Sequence, residues 1–237
     1  MKNSIMKNSE RLIWGLLLTI IVFLLATFSP GIIKLNVDFL PSSFVTHSVM
    51  LILSIVLIYS FRKSVNCKIA WPKFKKIWRP ILFGFLAAVI VNTLIVAIGS
   101  AFGIKAEANY VFDVMNSLQF FLFIFIMASI AEEALFRGFL QNILKPLKSR
   151  GIKIFKRHIS LPVIIAAIAF SLAHLVLIAS GAGAYFIFRT LVFTFVLGLI
   201  AGYYQEKYEN HSYAIIVHMS GNLMSLIAMW LGSLNLA

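Results

Sequence analysis

The chain has 237 residues, of which 61% are hydrophobic and only 12% are charged, and its net charge is +13. A soluble domain carries roughly 25% charged residues, so these polar side chains could not cover a globular surface in water. The single cysteine, Cys67, excludes a secreted disulfide scaffold. The composition therefore predicts a membrane protein whose outer surface faces lipid.

Seven apolar stretches are long enough to cross a bilayer core, which takes about 20 helical residues. Pro and Gly residues, including Pro30 and Pro80, mark loops between them. We predict an all-α, polytopic membrane helix bundle, one integral domain with three helices in 1–114 and four in 115–237. The predicted spans are 12–29, 44–61, 81–102, 117–140, 161–180, 185–204 and 213–231.

Basic residues alternate between successive connections. Three precede the first span, seven lie between the second and third spans, and six lie between the fourth and fifth, whereas the other connections hold one or none. The positive-inside bias then predicts the N-terminus inside and the C-terminus outside. The first span is predicted to be an uncleaved helix, because its apolar stretch of about 17 residues exceeds the roughly 7–15 apolar residues of a signal peptide's hydrophobic region, and no A-x-A site follows.

The basic loops explain the net charge without nucleic acid. Topology alone accounts for them better than contact with anionic lipid or with a protein partner, although both contacts are compatible with the pattern. Cys67 lies in the first basic loop, where a spare thiol is favoured over a palmitoylation site. The small size and seven spans favour a prokaryotic plasma membrane, with membrane lipid as the surrounding partner.

Two of the eight acidic residues, Glu132 and Glu133, lie within a predicted span. A carboxylate inside a membrane costs roughly 3 kcal/mol or more, so two adjacent ones indicate a function and an interior partner. The other six lie in predicted loops or helix ends: Glu10, Asp38, Glu107, Asp113, Glu206 and Glu209.

Arg137 is the predicted partner of Glu133, because residues i and i+4 share one helical face. Glu132 is rotated by about 100° from Glu133 and points elsewhere. One carboxylate can therefore be neutralised within the helix while the other is left for chemistry. An ion-paired packing device that uses both carboxylates is the structural alternative.

Two later spans also carry polar groups. His174 lies in the middle of the fifth span, and His218 and Asn222 lie one turn apart on the seventh. Each could simply join helices by hydrogen bonds. His174 lies at about the depth of Glu132, whereas His218 lies roughly 10 Å shallower by its predicted boundary. An earlier start of the last helix, a tilt, or a site open to the cytoplasm would each remove that mismatch.

Together these residues resemble the CPBP family, the CAAX proteases and bacteriocin-processing enzymes also called Abi. The resemblance covers about 115 to 230 and rests on three motifs in order on successive helices. They are Glu132-Glu133-Ala134-Leu135-Phe136-Arg137, Phe170-Ser171-Leu172-Ala173-His174, and His218-Met219-Ser220-Gly221-Asn222.

This resemblance implies an intramembrane glutamic endopeptidase acting on a membrane-associated peptide or protein. Glu132 would be the general base that activates water, and His174 would help to hold that water. His218 and Asn222 would stabilise the oxyanion, with Glu133 and Arg137 supporting the site. Water must then reach Glu132, for which we expect a cavity open to the cytoplasm.

No cofactor is expected, although zinc is an alternative. Glu132, Glu133, His174 and His218 are zinc-ligand types. The metal-free mechanism is favoured because H-E-x-x-H is missing and the two glutamates are adjacent rather than one turn apart.

Two other functions compete with proteolysis. One is a non-proteolytic membrane partner, such as a bacteriocin-immunity or sensor-modulating protein on the same fold. The other is a proton-coupled transporter with Glu and His as a relay, which ranks last because internal repeats and broken helices are not evident.

Smaller features receive structural interpretations. Gly198 and Gly202 form a G-x-x-x-G pattern that permits close helix packing. Arg189 is expected to snorkel to the headgroups rather than to reach inward. No role is assigned to the remaining histidines at helix ends or in loops, which are His47, His158 and His211.

Overall fold

A computed structural model of the chain describes residues 6–105 and 114–234. Within them, seven helices are long and apolar enough to cross a membrane. The predicted all-α bundle is confirmed, and the protein is a multi-pass integral membrane protein. Lys2, Glu107 and Asp113 lie outside the described residues, and the orientation of the termini stays a prediction.

Each predicted span coincides with one helix. The fifth helix ends its α-helical part at Ala173 and continues as a 3-10 helix, so His174 lies at this junction and not in the middle of a uniform helix. The helices are α1 (Asn8–Ile32), α2 (Ser42–Ser60), α3 (Phe74–Ala101), α4 (Ser117–Gln141), α5 (Leu161–Ser180), α6 (Ala184–Tyr208) and α7 (Ser212–Leu234).

Two prolines that were expected to mark loops lie inside helices. Pro30 is in the last turn of α1, and Pro80 lies within α3, which begins at Phe74 rather than at 81. A proline lacks the backbone N–H that would bond the carbonyl four residues earlier, so each of these prolines costs its helix one hydrogen bond. Pro80 is also buried, so its ring packs against the bundle.

The second basic loop contains a β-hairpin that the sequence analysis did not predict. Strands β1 (Gly151–Ile154) and β2 (Arg157–Ser160) pair antiparallel, with Gly151 opposite Ser160. The turn is tight, and Phe155 in it has a φ of 52°. The strands are only four residues each, which is too short for a clear period-two pattern.

The centre of the bundle is the second half of α4. All eight residues of Ala134–Gln141 are buried, and they pack with residues of α1, α2 and α5. Because this stretch is buried on every side, its polar residues Arg137 and Gln141 need partners within the protein. Such burial also fixes the position of the glutamates that precede this stretch.

Glycines allow two close helix crossings. Gly198 and Gly202 of α6 face Ala167 and Val163 of α5, which confirms the predicted packing role of the G-x-x-x-G pattern. Elsewhere, α3 packs extensively along α7, and Gly84 lies against the backbone carbonyl of Val217.

Cys67 is half-buried and packs against the hydrophobic cluster around α4. Burial raises the pKa of its thiol to about 11. The thiol is therefore protonated and poorly nucleophilic at neutral pH, in agreement with a spare thiol.

The α3–α7 crossing predicts the effect of adding a single methyl group. Gly84→Ala should destabilise the bundle by on the order of 1–3 kcal/mol, because the new Cβ meets backbone that cannot move aside easily. Gly31→Ala is the matched control, since within the described residues no packed neighbour lies within 4 Å of its added Cβ. Thermal unfolding in detergent should show a lower midpoint for Gly84→Ala alone; equal midpoints would contradict the close crossing.

Candidate active site

The two glutamates lie in one α-helical turn of α4, Ser129–Glu133. On either side, over Phe120–Ala128 and Ala134–Gln141, the helix winds more widely as a π-helix. Insertions of π winding inside α-helices occur frequently at functional sites. The sequence before the glutamates is uniformly apolar, so it gives no signal from which the π-helical geometry could be predicted.

Glu133 is buried, and its Oε1 atom has two partners within the protein, whereas Oε2 has none among the described residues. Arg137 Nη1 donates to Glu133 Oε1 over 2.7 Å, and these side chains are 0% and 1% exposed. His218 Nδ1 is 2.9 Å from the same oxygen and donates to it, because an ion-paired carboxylate can only accept. The predicted i,i+4 pairing of Glu133 with Arg137 is confirmed.

Residues of α5 and α6 surround the guanidinium of Arg137. Its guanidinium carbon lies 4.4 Å from the centre of the Phe170 ring, a cation–π contact. A Cβ at position 198 would lie 2.6 Å from Arg137 Nη2, so Gly198 leaves room for the guanidinium. The G-x-x-x-G glycine therefore serves the ion pair as well as helix packing.

Glu132 has a different environment from its neighbour. Its side chain is 18% exposed, against 1% for Glu133. Glu132 Oε2 lies 3.8 Å from His218 Nε2, and Oε1 lies 3.4 Å from His47 Nε2. The carboxylate thus faces imidazole rings and open space rather than a buried cation.

His174 and Asn222 line the same cavity as Glu132. His174 Nδ1 lies 2.9 Å from the carbonyl oxygen of Phe170 and must donate to it, which leaves Nε2 of the neutral ring as an acceptor. Asn222 Nδ2 donates to Ser129 Oγ over 3.2 Å, one turn before Glu133 on α4. All the residues that the motifs singled out therefore meet around one place.

This cavity has a volume of about 930 Å³ and is mostly apolar. From Glu132 it extends to the end of the bundle where α2, α4 and α6 begin, opposite the basic loops. Buried side chains of α4 fill the basic end. With the basic loops inside, as predicted, this direction differs from the expected opening toward the cytoplasm. The residues that mark the far end are Ser42, Ala97, Met115, Ser180 and Ala228.

A layer of hydrogen bonds closes the site on the basic side. Gln205 Nε2 donates to the carbonyl of Arg137 over 3.0 Å, and Gln205 Oε1 is 2.7 Å from His211 Nδ1. Since the amide oxygen accepts, His211 carries its hydrogen on Nδ1. Burial lowers the pKa of His211 to about 4. Beyond this layer lies a polar crevice of about 90 Å³, lined in part by Lys68 and Lys145.

Sequence reasoning missed His47 at this site. It lies within α2, one turn after the helix begins, and its side chain lines the cavity beside Glu132. The available signal was a polar residue inside an apolar run, the criterion that singled out His174. Ser129 was missed as well, although it lies one turn before Glu133 on the same helix.

Other expectations have mixed outcomes. Arg189 lies near the start of α6, lines the cavity, and has its guanidinium carbon 5.2 Å from the centre of the Phe186 ring, so its snorkelling to the headgroups stays a prediction. His158 lies exposed in the hairpin, whereas His211 is buried in the layer described above.

The donor set bears on metal binding. Among the residues that the structure describes, no three His, Cys, Asp or Glu side chains are arranged to hold a metal ion. Glu133 Oε1 is used by both Arg137 and His218, while Oε2 has no partner among the described residues.

The buried neutral ring of His211 predicts an acid-dependent loss of stability. Its unfolded pKa is about 6.5 and its folded pKa is about 4, so the unfolded chain binds more protons between these values. The contribution, on the order of 3 kcal/mol, is fully present above pH 6.5 and is lost as the pH falls toward 4.

Thermal unfolding in detergent from pH 7 to 4.5 measures this effect. The His211→Asn variant should show a flatter midpoint-against-pH curve than the unmodified protein. His158→Asn is the matched control on an exposed histidine and should keep the original slope. Parallel curves for the His211→Asn variant and the unmodified protein would contradict the assignment.

Comparison with known proteins agrees with this geometry. Residues 114–224 match the family model Rce1-like, described as Type II CAAX prenyl endopeptidase Rce1-like. No curated protein and no solved structure matches the chain. The matched region contains all three motifs, and it supports membrane endopeptidase activity in general. Residues 114–224 are therefore similar to the CAAX protease family, in agreement with the resemblance that the motifs carry.

Proposed function

We propose that the protein is an intramembrane endopeptidase that hydrolyses a peptide bond in a membrane-associated peptide or protein, with Glu132 as the general base. One observation carries this proposal. Of two adjacent glutamates, Glu133 is neutralised by Arg137 within the protein, while Glu132 faces a large cavity between two imidazoles. A general base needs this combination of an accessible carboxylate and a fixed position.

In the proposed reaction, Glu132 takes a proton from a water molecule, and the hydroxide attacks the scissile carbonyl carbon. The oxyanion that forms accepts hydrogen bonds from His218 and Asn222. Glu132 then returns its proton to the amide nitrogen as the C–N bond breaks, which releases an acid and an amine. Such proton transfer typically contributes about 10²–10⁴-fold, and each oxyanion donor a few kcal/mol.

The hydrogen bonds of His218 define how it could act. Its Nδ1 hydrogen is committed to Glu133, so donation to an oxyanion requires a second hydrogen on Nε2. The resulting imidazolium balances the charge of Glu132, because Glu133 and Arg137 already balance each other. The proposed active form thus has no net charge in a low-dielectric environment, where an unbalanced charge is costly.

His174 is proposed to hold the attacking water. Its Nδ1 hydrogen is used by the carbonyl of Phe170, so Nε2 is available to accept a hydrogen bond from water. A water held between His174 and Glu132 could direct its lone pair at a bound carbonyl. Orienting reactants in this way lowers the entropic part of the barrier.

The apolar walls of the cavity favour a substrate with an apolar segment. Candidate classes are leader peptides, pheromone or bacteriocin precursors, and the prenylated C-terminal tails that the name of the matched family denotes. By the predicted orientation, the cavity occupies the outer half of the bundle. We therefore propose that substrate reaches Glu132 from the end opposite the basic loops or from the bilayer.

The proposed mechanism is free of metal. Its support is the chemistry of the donors: the charge of Glu133 is paired with Arg137, its Oε1 also accepts from His218, and His174 is tied through Nδ1 to a backbone carbonyl. Zinc sites usually present three protein ligands to one point.

Paired glutamine substitutions test the division between the glutamates. Glu132→Gln should reduce peptide hydrolysis by at least about 10³-fold with little change in unfolding midpoint, because only the base is lost. Glu133→Gln should lower stability by about 3–5 kcal/mol, since it leaves Arg137 buried without its counter-charge. The assay uses purified protein in proteoliposomes with a panel of membrane-peptide and lipidated-tail substrates.

Three outcomes would contradict parts of this proposal. Full hydrolysis by Glu132→Gln would exclude it as the base. Hydrolysis that is abolished by a strong chelator and restored by zinc would overturn the metal-free mechanism and keep the protease. A cellular phenotype that survives Glu132→Gln, with no hydrolysis of any substrate, would favour the non-proteolytic partner function.

A further inference from the structure

The site includes a residue from outside the region that matches the family. His47 is on α2, far from residues 114–224 in sequence, and only 8% of it is exposed. Its Nε2 atom lies 3.4 Å from Glu132 Oε1. α2 packs along α4 at this level, so the first helices help to complete the site.

The two oxygens of Glu132 have separate neighbours. Oε1 faces His47, while Oε2 faces His218 at 3.8 Å. A carboxylate held at one oxygen cannot rotate freely about its last bond, so the other oxygen keeps a fixed direction. Fixed directions matter, because a misplacement of about 1 Å can cost about 100-fold in rate.

Burial indicates which nitrogen of His47 carries the hydrogen. Within the described residues, Nδ1 of His47 is buried and has no hydrogen-bond partner. A buried N–H without a partner is rare, whereas an unused acceptor is tolerated more often. The ring is therefore best placed with its hydrogen on Nε2, where it points at Glu132.

We infer that His47 is a positioning residue that donates from Nε2 to Glu132 Oε1 and so presents Oε2 as the basic oxygen. This inference rests on the proposed function of Glu132. The separation of 3.4 Å is longer than most hydrogen bonds. Hydrogen bonds at catalytic sites are often long without substrate and tighten in its complex.

Conservative and apolar substitutions separate positioning from packing. His47→Leu removes the donor but keeps an apolar side chain of comparable size, whereas His47→Gln keeps an N–H near the place of Nε2. We expect His47→Leu to lower kcat about 10–100-fold with KM within twofold, and His47→Gln to recover most of that loss. His158→Leu and His158→Gln are matched controls on an exposed histidine and should leave both constants unchanged.

Two kinetic results would overturn the inference. One is a kcat for His47→Leu within twofold of the unmodified protein. The other is an equal loss for His47→Leu and His47→Gln that follows a common fall in unfolding midpoint, because that pattern belongs to a packing role.

A second measurement does not depend on proteolysis. Nitrogen-15 NMR of histidine-labelled protein reports which ring nitrogen carries hydrogen, and the His47 signals are assigned by their loss in His47→Gln. We expect the Nε2–H form, and a change of the Nε2 signal in Glu132→Gln but not in the control Glu209→Gln. An unchanged His47 Nε2 signal in Glu132→Gln would overturn the contact between the two side chains. If that signal changes but the protein hydrolyses no substrate, only the proposed function is contradicted.

Discussion

The ion pair of Glu133 and Arg137 is the interaction on which the rest of the site depends. Removing two charges from water costs several kcal/mol each, and their attraction offsets this only with good geometry and further hydrogen bonds. Here the two groups are one helical turn apart, at 2.7 Å, in the most buried part of α4. His218 adds a second donor to the same carboxylate oxygen.

Three residues of neighbouring helices contact Arg137 or leave space for it. The Phe170 ring lies over its guanidinium, Gly198 leaves room beside it, and Gln205 binds its backbone carbonyl. These contacts come from α5 and α6, so the ion pair ties the central helix to its neighbours. Because Arg137 satisfies Glu133, the adjacent Glu132 can remain a carboxylate facing the cavity.

Much of this arrangement could be predicted from the sequence. The spans follow from hydropathy, and the Glu133–Arg137 pairing follows from helical spacing. The three motifs are short-range patterns, and their order indicated that Glu132, His174 and His218 come together. The shallow position expected for His218 proved no obstacle, since it contacts both glutamates although α7 begins only at Ser212.

Other features could not be predicted, for physical reasons. His47 is one polar residue near a helix end, and only the packing of α2 on α4 gives it a partner. The end at which the cavity opens depends on which side chains fill the bundle near the basic loops, and only the packing of the helices determines this. The continuation of α3 through Pro80 reflects packing that overrides a local breaker signal.

The proposed mechanism requires water to reach Glu132, and thiol labelling measures this access most directly. In a Cys67→Ser background, Glu132→Cys and Ala131→Cys place single thiols at neighbouring positions, of which Ala131 is 0% exposed. A small, charged methanethiosulfonate reagent should modify the thiol of Glu132→Cys and leave that of Ala131→Cys unmodified in folded protein. Equal resistance of both thiols would contradict a water-accessible Glu132 and, with it, its proposed role as the base.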